Sequence, residues 1–143
     1  MFHDTGETVY GFFYNYDKLL ECPECLHCIK LRKDSSILNC YNCGFQKNLR
    51  HNGLFAALWG RNDGIVYGCK LFLRTRACGH ELWAFNKEHL DYLEGYISNL
   101  NRHKKPNINQ SVASRMPDWM KSSRNRVKLI NALKKLRRKL EKF

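Results

Sequence analysis

An α+β fold is predicted for this chain of 143 residues, and three observations carry the prediction. Two close cysteine pairs, Cys22/Cys25 and Cys40/Cys43, bracket a short β-prone segment. A run from Ile65 to Phe85 alternates apolar and polar residues around the turn-forming Cys78-Gly79, the pattern of a β-hairpin. Beyond it, apolar residues recur at intervals of three and four in two stretches, as on amphipathic helices.

Residues 1–20 are rich in aromatics: Phe2, Tyr10, Phe12, Phe13, Tyr14 and Tyr16. Their alternation is imperfect because Phe13 breaks the parity, so a short strand or an extended arm is expected. Packing into a small core is the favoured role for these rings, with base stacking the second.

Residues 22–46 form a self-contained unit with the spacing C-x2-C-x14-C-x2-C. Two residues between paired cysteines let one tight turn aim both sulfurs at one point. Pro23 stiffens the first turn by fixing φ, and Gly44 lets the chain leave the second with positive φ. Between the pairs, Ile29–Lys33 and Ile37–Asn39 flank Asp34-Ser35-Ser36, which predicts a hairpin with a Cys pair at each open end. Four thiolates in this arrangement suit one structural zinc ion, with Cys22, Cys25, Cys40 and Cys43 as ligands. Cys25 and Cys28 also have the C-x2-C spacing, so Cys28 competes to replace Cys22 or Cys25; Pro23 inside the first turn favours Cys22 with Cys25, and His27 is a further substitute. A hairpin this short cannot bury enough surface to order itself, so the metal is expected to act in folding. A saturated four-thiolate site offers no open position for catalysis.

Leu54 to Trp59 reads as a helical turn or a buried strand between Gly53 and Gly60. After the hairpin, Asn86 is placed to cap a helix from about Lys87 to Asn101, with Leu90, Leu93, Ile97 and Leu100 on one stripe. Residues 102–117 read as a polar linker broken by Pro106 and Pro117. A last helix is expected from near Ser123, with an apolar stripe of Val127, Ile130, Leu133, Leu136 and Leu140. No internal repeat is visible. Cys69, Cys78 and His80 form a second metal site only if they converge across the hairpin; idle thiols are the plainer reading.

The net charge of +12 is concentrated at one end. Residues 1–101 hold 11 basic and 11 acidic side chains, whereas residues 102–143 hold 14 and 2. Four thiolates and a zinc ion lower the total to about +10. The pattern suggests a neutral body with a basic appendage. Such a helix suits nucleic-acid phosphates first, an acidic protein surface second and an anionic membrane last, since its stripe lacks Trp. The candidate phosphate contacts are Arg124, Arg126, Lys128, Lys134, Lys135, Arg137, Arg138 and Lys139.

Seven cysteines, an odd count, and a start without a basic signal region point to a reducing cytoplasm. No apolar run is long enough to span a membrane. No phosphate-loop, nucleophile-elbow or paired-carboxylate motif is present, so an enzyme is not expected.

CPEC…CYNCGF resembles the zinc ribbon of the general transcription factor IIB type. GCKLFLRTRACGHELWAFNKEHLDYLEGYI, with SVASRMPDWMKSSRNR downstream, is similar to small bacterial proteins described as TFIIB-type zinc-ribbon-containing proteins. The resemblance covers roughly residues 20–140. It implies Cys22, Cys25, Cys40 and Cys43 as ligands, and marks residues 82–86 and 114–121 as signature positions. Relatives often carry two adjacent cysteines before the glycine where this chain has Ala77-Cys78.

The resulting expectation is a zinc ribbon plus a β-hairpin and helix body with a C-terminal basic helix. Residues 1–60 hold the arm and ribbon, 61–101 the hairpin and helix, and 102–143 the linker and basic helix. The expected function is non-catalytic binding of DNA or RNA through phosphates. The alternative is a zinc-stabilised structural or regulatory subunit that buries the C-terminal leucine stripe in a partner protein.

Overall fold

A computed structural model of the chain describes residues 9–49, 64–98 and 116–142. The expectations for Leu54–Trp59 and for the linker before Met116 lie outside these residues.

The aromatic N-terminal segment is a helix, α1 (Val9–Tyr14), and not the expected strand or arm. Phe12 and Phe13 are adjacent and both buried, which a half-buried strand cannot arrange but a short helix laid on a core can. The end of α1 is held by Lys18, whose Nζ donates to the Phe13 carbonyl at 2.7 Å and lies 4.4 Å from the centre of the Phe13 ring. That bond satisfies a carbonyl with no partner inside the helix.

Four strands follow: β1 (Lys18–Glu21), β2 (Cys28–Leu31), β3 (Ile37–Asn39) and β4 (Gln46–Asn48). They do not pair as expected. The segments between the cysteine pairs, β2 and β3, lie beside each other, but their ladders run outward: β1 pairs with β2, and β3 pairs with β4, both antiparallel. Each Cys-x2-Cys turn reverses the chain by itself, so each arm pairs across its own turn. Arg32 to Ser36 only connects the two units, tightened by a bond from the Ser35 N–H to the Arg32 carbonyl.

The two hairpins are copies of one unit offset by 18 residues. Leu19↔Lys30, Leu20↔Ile29 and Glu21↔Cys28 in the first become Ile37↔Asn48, Leu38↔Lys47 and Asn39↔Gln46 in the second. The expectation of no internal repeat is therefore corrected. Outside the cysteines few side chains match, which is why the repeat escapes a reading of the letters.

The next strands are β5 (Ile65–Val66), β6 (Cys69–Lys70), β7 (Leu73–Ala77) and β8 (His80–Ala84). The β5–β6 turn places Tyr67 and Gly68 at φ of 54° and 76°, and the β7–β8 turn places Cys78 and Gly79 at 54° and 79°. Two consecutive positive φ angles give the turn whose twist suits a two-residue hairpin. The β7–β8 hairpin is the one expected from the alternation, with Leu73, Leu82 and Ala84 buried. β1 is tied to this part of the chain: the Leu19 N–H donates to the Phe85 carbonyl, and the Phe72 N–H to the Leu19 carbonyl.

Asn86 caps α2 (Lys87–Ser98) as expected, its Oδ1 accepting the His89 N–H at 2.8 Å. Its Nδ2 donates to the Phe12 carbonyl, so the same residue fastens α1 to α2. His89 is buried, stacked on Phe12 at 5.0 Å, and its Nδ1 accepts the Phe85 N–H. Burial lowers its pKa to about 3, which keeps the ring neutral.

A short helix, α3 (Asp118–Lys121), and a 3-10 turn (Ser123–Asn125) lead into α4 (Arg126–Glu141). The expected stripe on α4 is rotated. Leu129, Ala132, Leu133 and Leu136 are buried, while Val127 is 70% exposed. They fall at i, i+3, i+4 and i+7, which is a single face. That face packs against α2 and β7, so α4 is part of the body and not an appendage. Arg137 bonds Asp91 and Glu94 of α2, and Lys139 Nζ lies 4.8 Å from the centre of the Phe72 ring. One apolar core runs through the described residues, from Phe12 to Leu136. Among them no helix is long and apolar enough to cross a membrane.

Candidate metal centre and basic face

The two cysteine turns have the same backbone geometry. The Leu26 N–H donates to the Cys22 carbonyl and the Cys22 N–H to the His27 carbonyl; the Gly44 N–H donates to the Cys40 carbonyl and the Cys40 N–H to the Phe45 carbonyl. Both turns exit through positive φ, 67° at Leu26 and 83° at Gly44. In the second turn glycine meets that demand without a Cβ clash; in the first an exposed leucine tolerates it. The Glu24 N–H also points at the Cys22 sulfur, at 3.4 Å.

Facing turns bring four sulfurs together. Cys22, Cys25, Cys40 and Cys43 have their Sγ atoms within 4.8 Å of one another, so they could hold one metal ion. The Sγ distances across the turns are 3.6 Å for Cys22–Cys43 and 3.5 Å for Cys25–Cys40. Exchanging the two hairpins converts one of these pairs into the other, so the cluster has an approximate local two-fold. All seven cysteines are free thiols.

The four thiols influence one another's ionisation. Cys25 is lowered to about 6 by the Asn42 side chain first and by the His27 backbone N–H next. Cys43 feels the Phe45 N–H, which lowers it, but burial and the sulfurs of Cys22, Cys25 and Cys40 carry it up to about 12. Four thiols this close cannot all ionise unless positive charge sits between them.

Cys28 is outside the cluster. It lies in β2 opposite Glu21, and burial pushes its thiol up to about 12, against the pull of nearby Lys139. His27 is not a member either; Asn42 Nδ2 bonds its Nδ1 at 3.1 Å and links the two turns. Among the described residues no second group of metal-ligating side chains forms. Cys69 is buried in β6, Cys78 sits in the β7–β8 turn, and His80 stacks on Trp119. Asn42, which links the turns and lowers Cys25, carries no signal of its own in the sequence. The 18-residue offset points to it, as the counterpart of Glu24.

The eight candidate basic residues divide into two groups. Arg124, Lys128, Lys134, Lys135 and Arg138 are exposed. Arg126, Arg137 and Lys139 are half-buried. Arg137 is held by Glu94 and then Asp91, which raise its pKa further. Burial lowers Lys139, opposed by Glu21 and Cys28. The Arg126 Nε is buried without a hydrogen-bond partner.

No protein-family model, curated protein or solved structure matches this chain.

Proposed function

We propose that the four-cysteine cluster holds one structural zinc ion, that residues 18–49 form a zinc ribbon, and that the chain is a non-catalytic, cytoplasmic nucleic-acid-binding protein. The sulfur geometry carries the zinc assignment. Zinc–thiolate bonds of about 2.3 Å in a tetrahedron set sulfur–sulfur edges of about 3.8 Å; the two pairs across the turns are at 3.6 and 3.5 Å, and all four sulfurs lie within 4.8 Å of one another. All four positions are filled by protein, so no site is left for a reactive water, and the ion's work is to hold two hairpins face to face. The TFIIB-type zinc-ribbon resemblance agrees with this reading.

Phosphate contact is supported by the exposed cations of α4. Lys134, Lys135 and Arg138 stand on the side of α4 away from its buried leucines, Lys128 flanks that side, and exposed Arg124 lies just before the helix in the 3-10 turn. Arg137 and Lys139 are engaged by the body and are assigned to holding α4 in place. The alternative subunit role is the weaker reading, because Leu133 and Leu136 of the expected stripe are buried within this chain, while Val127 is the one left exposed.

Two measurements test the proposal on protein purified without nucleic-acid removal. Metal analysis should find one zinc per chain. Affinity for DNA should fall steeply with salt, with a logarithmic slope of about 0.9 for each duplex phosphate that the protein neutralises. Lys128→Ala, Lys135→Ala and Arg138→Ala should each flatten that slope, whereas Arg137→Ala should lower stability with little effect on it. Salt-independent binding, or none at low salt, overturns the phosphate reading.

A further inference from the structure

We propose that the tip of the β7–β8 hairpin is a stacking platform for a base of single-stranded nucleic acid, which makes single strands the preferred ligand; this rests on the phosphate-binding reading above. The observation is a flat aromatic stack. The His80 and Trp119 rings lie 4.6 Å apart with 9° between their planes. His80 is exposed and Trp119 half-buried, so the imidazole is the outer layer and the indole its support.

Both layers are held from behind. His80 opens β8 opposite Ala77, directly after the Cys78-Gly79 turn. Trp119 lies in α3 between buried Met116 and Met120, and its carbonyl accepts a bond from Asn125 Nδ2 at 3.0 Å. A base placed on a platform already ordered in this way costs little further ordering.

The charge near the hairpin tip is mixed: Arg76, one register position from His80, bonds the Gly79 carbonyl at 3.1 Å and is paired with Glu81 at 2.8 Å. Arg124 follows Trp119 by five residues, and the exposed cations of α4 continue from there. On this proposal a strand with one base on His80 must set its phosphates along Arg124 and the exposed cations of α4. A duplex offers the same phosphates but keeps its bases stacked inside, so only a single strand gains from the ring.

The test compares a short oligothymidylate with a duplex of the same length, binding to the full chain at low salt. Wild type should favour the single strand. His80→Ala should weaken single-strand binding by about 5- to 150-fold, the range for loss of one stacked base, and leave the duplex unchanged. His80→Tyr should restore most of that loss, because it keeps an aromatic face. An unchanged single-strand affinity in His80→Ala, an equal loss for both ligands, or a Tyr variant as weak as Ala overturns the platform. If Lys128→Ala and Lys135→Ala still weaken both ligands, the phosphate reading survives that failure. Absence of binding to either ligand by wild type removes both.

Discussion

The two hairpins around the cysteine cluster share a backbone but not an environment. In the first, Leu19 is 5% exposed and Ile29 is buried; their counterparts in the second are Ile37, 52% exposed, and Lys47, half-buried. The first turn carries Pro23 where the second carries Tyr41, 93% exposed. The first hairpin is bonded to the body through backbone groups of Phe72 and Phe85, the second through the Lys47 side chain, which donates to the Tyr67 carbonyl at 2.8 Å; the second also buries Leu38 and Leu49. The same backbone bonds and positive-φ exits shape both cysteine turns, while the residues around them differ. Both copies reach the core, the first with more apolar side chains; if the proposed ion is bound, the second should rely on it more.

The largest expected effect follows from that dependence. Cys40→Ser should abolish metal binding and with it on the order of 10 kcal/mol of apparent binding free energy. Amide hydrogen exchange should then show that protection disappears at Gly44 and Leu49 but persists in part at Leu19 and Phe72. Equal loss in both hairpins breaks the comparison. Cys28→Ser should keep the metal, since that thiol is outside the cluster.

Equivalent positions should also respond unequally. Leu19→Ala should cost about 2–5 kcal/mol and Ile37→Ala about 0.5 kcal/mol, measured by chemical denaturation of the metal-loaded protein. Similar costs at the two sites mean that the hairpins share the core equally.

Acid should reach the first hairpin by a route of its own. His89 bonds Phe85, and Phe85 bonds Leu19. The folded pKa of His89 is about 3, whereas an unfolded histidine titrates near 6.5. Above about pH 6.5 the ring is neutral in both states and stability does not change with its titration. Below it the unfolded chain gains a proton that the folded ring refuses, so on the order of 1.4 kcal/mol is lost per pH unit towards pH 3. His89→Gln should flatten the stability slope between pH 6.5 and 5 by that amount. Comparison with wild type cancels the contribution of the thiolates.

The smallest effect concerns the turn exits. Gly44→Ala should cost about 1 kcal/mol through backbone strain alone, because its Cβ meets nothing within 4 Å. Leu26→Gly should relieve strain of the same origin, offset by unfolded-state entropy, and change the melting temperature upward by a smaller amount.

The four cysteines of the cluster are legible in the sequence because metal chemistry restricts both residue type and spacing. The spacing alone does not separate Cys22 from Cys28, since C-x2-C occurs twice in a row, but Pro23 inside the first turn favours Cys22, which is the one in the cluster. The β7–β8 hairpin and the Asn86 cap are legible because alternation and capping are local. The pairing of the first four strands is hidden because Asp34-Ser35-Ser36 reads as the stronger turn signal, while the first cysteine turn reverses the chain with no glycine or asparagine in it. The stripe on α4 is legible as a stripe but not in its rotation. Ile130 and Val127 look as apolar as Leu129 and Leu133, and only the positions of α2 and β7 decide which are covered.

X-ray absorption at the metal edge of the purified protein tests the central claim most directly. The prediction is one zinc per chain with four sulfur neighbours at about 2.3 Å. A protein that folds without metal, or a shell containing nitrogen or fewer than four sulfurs, contradicts it.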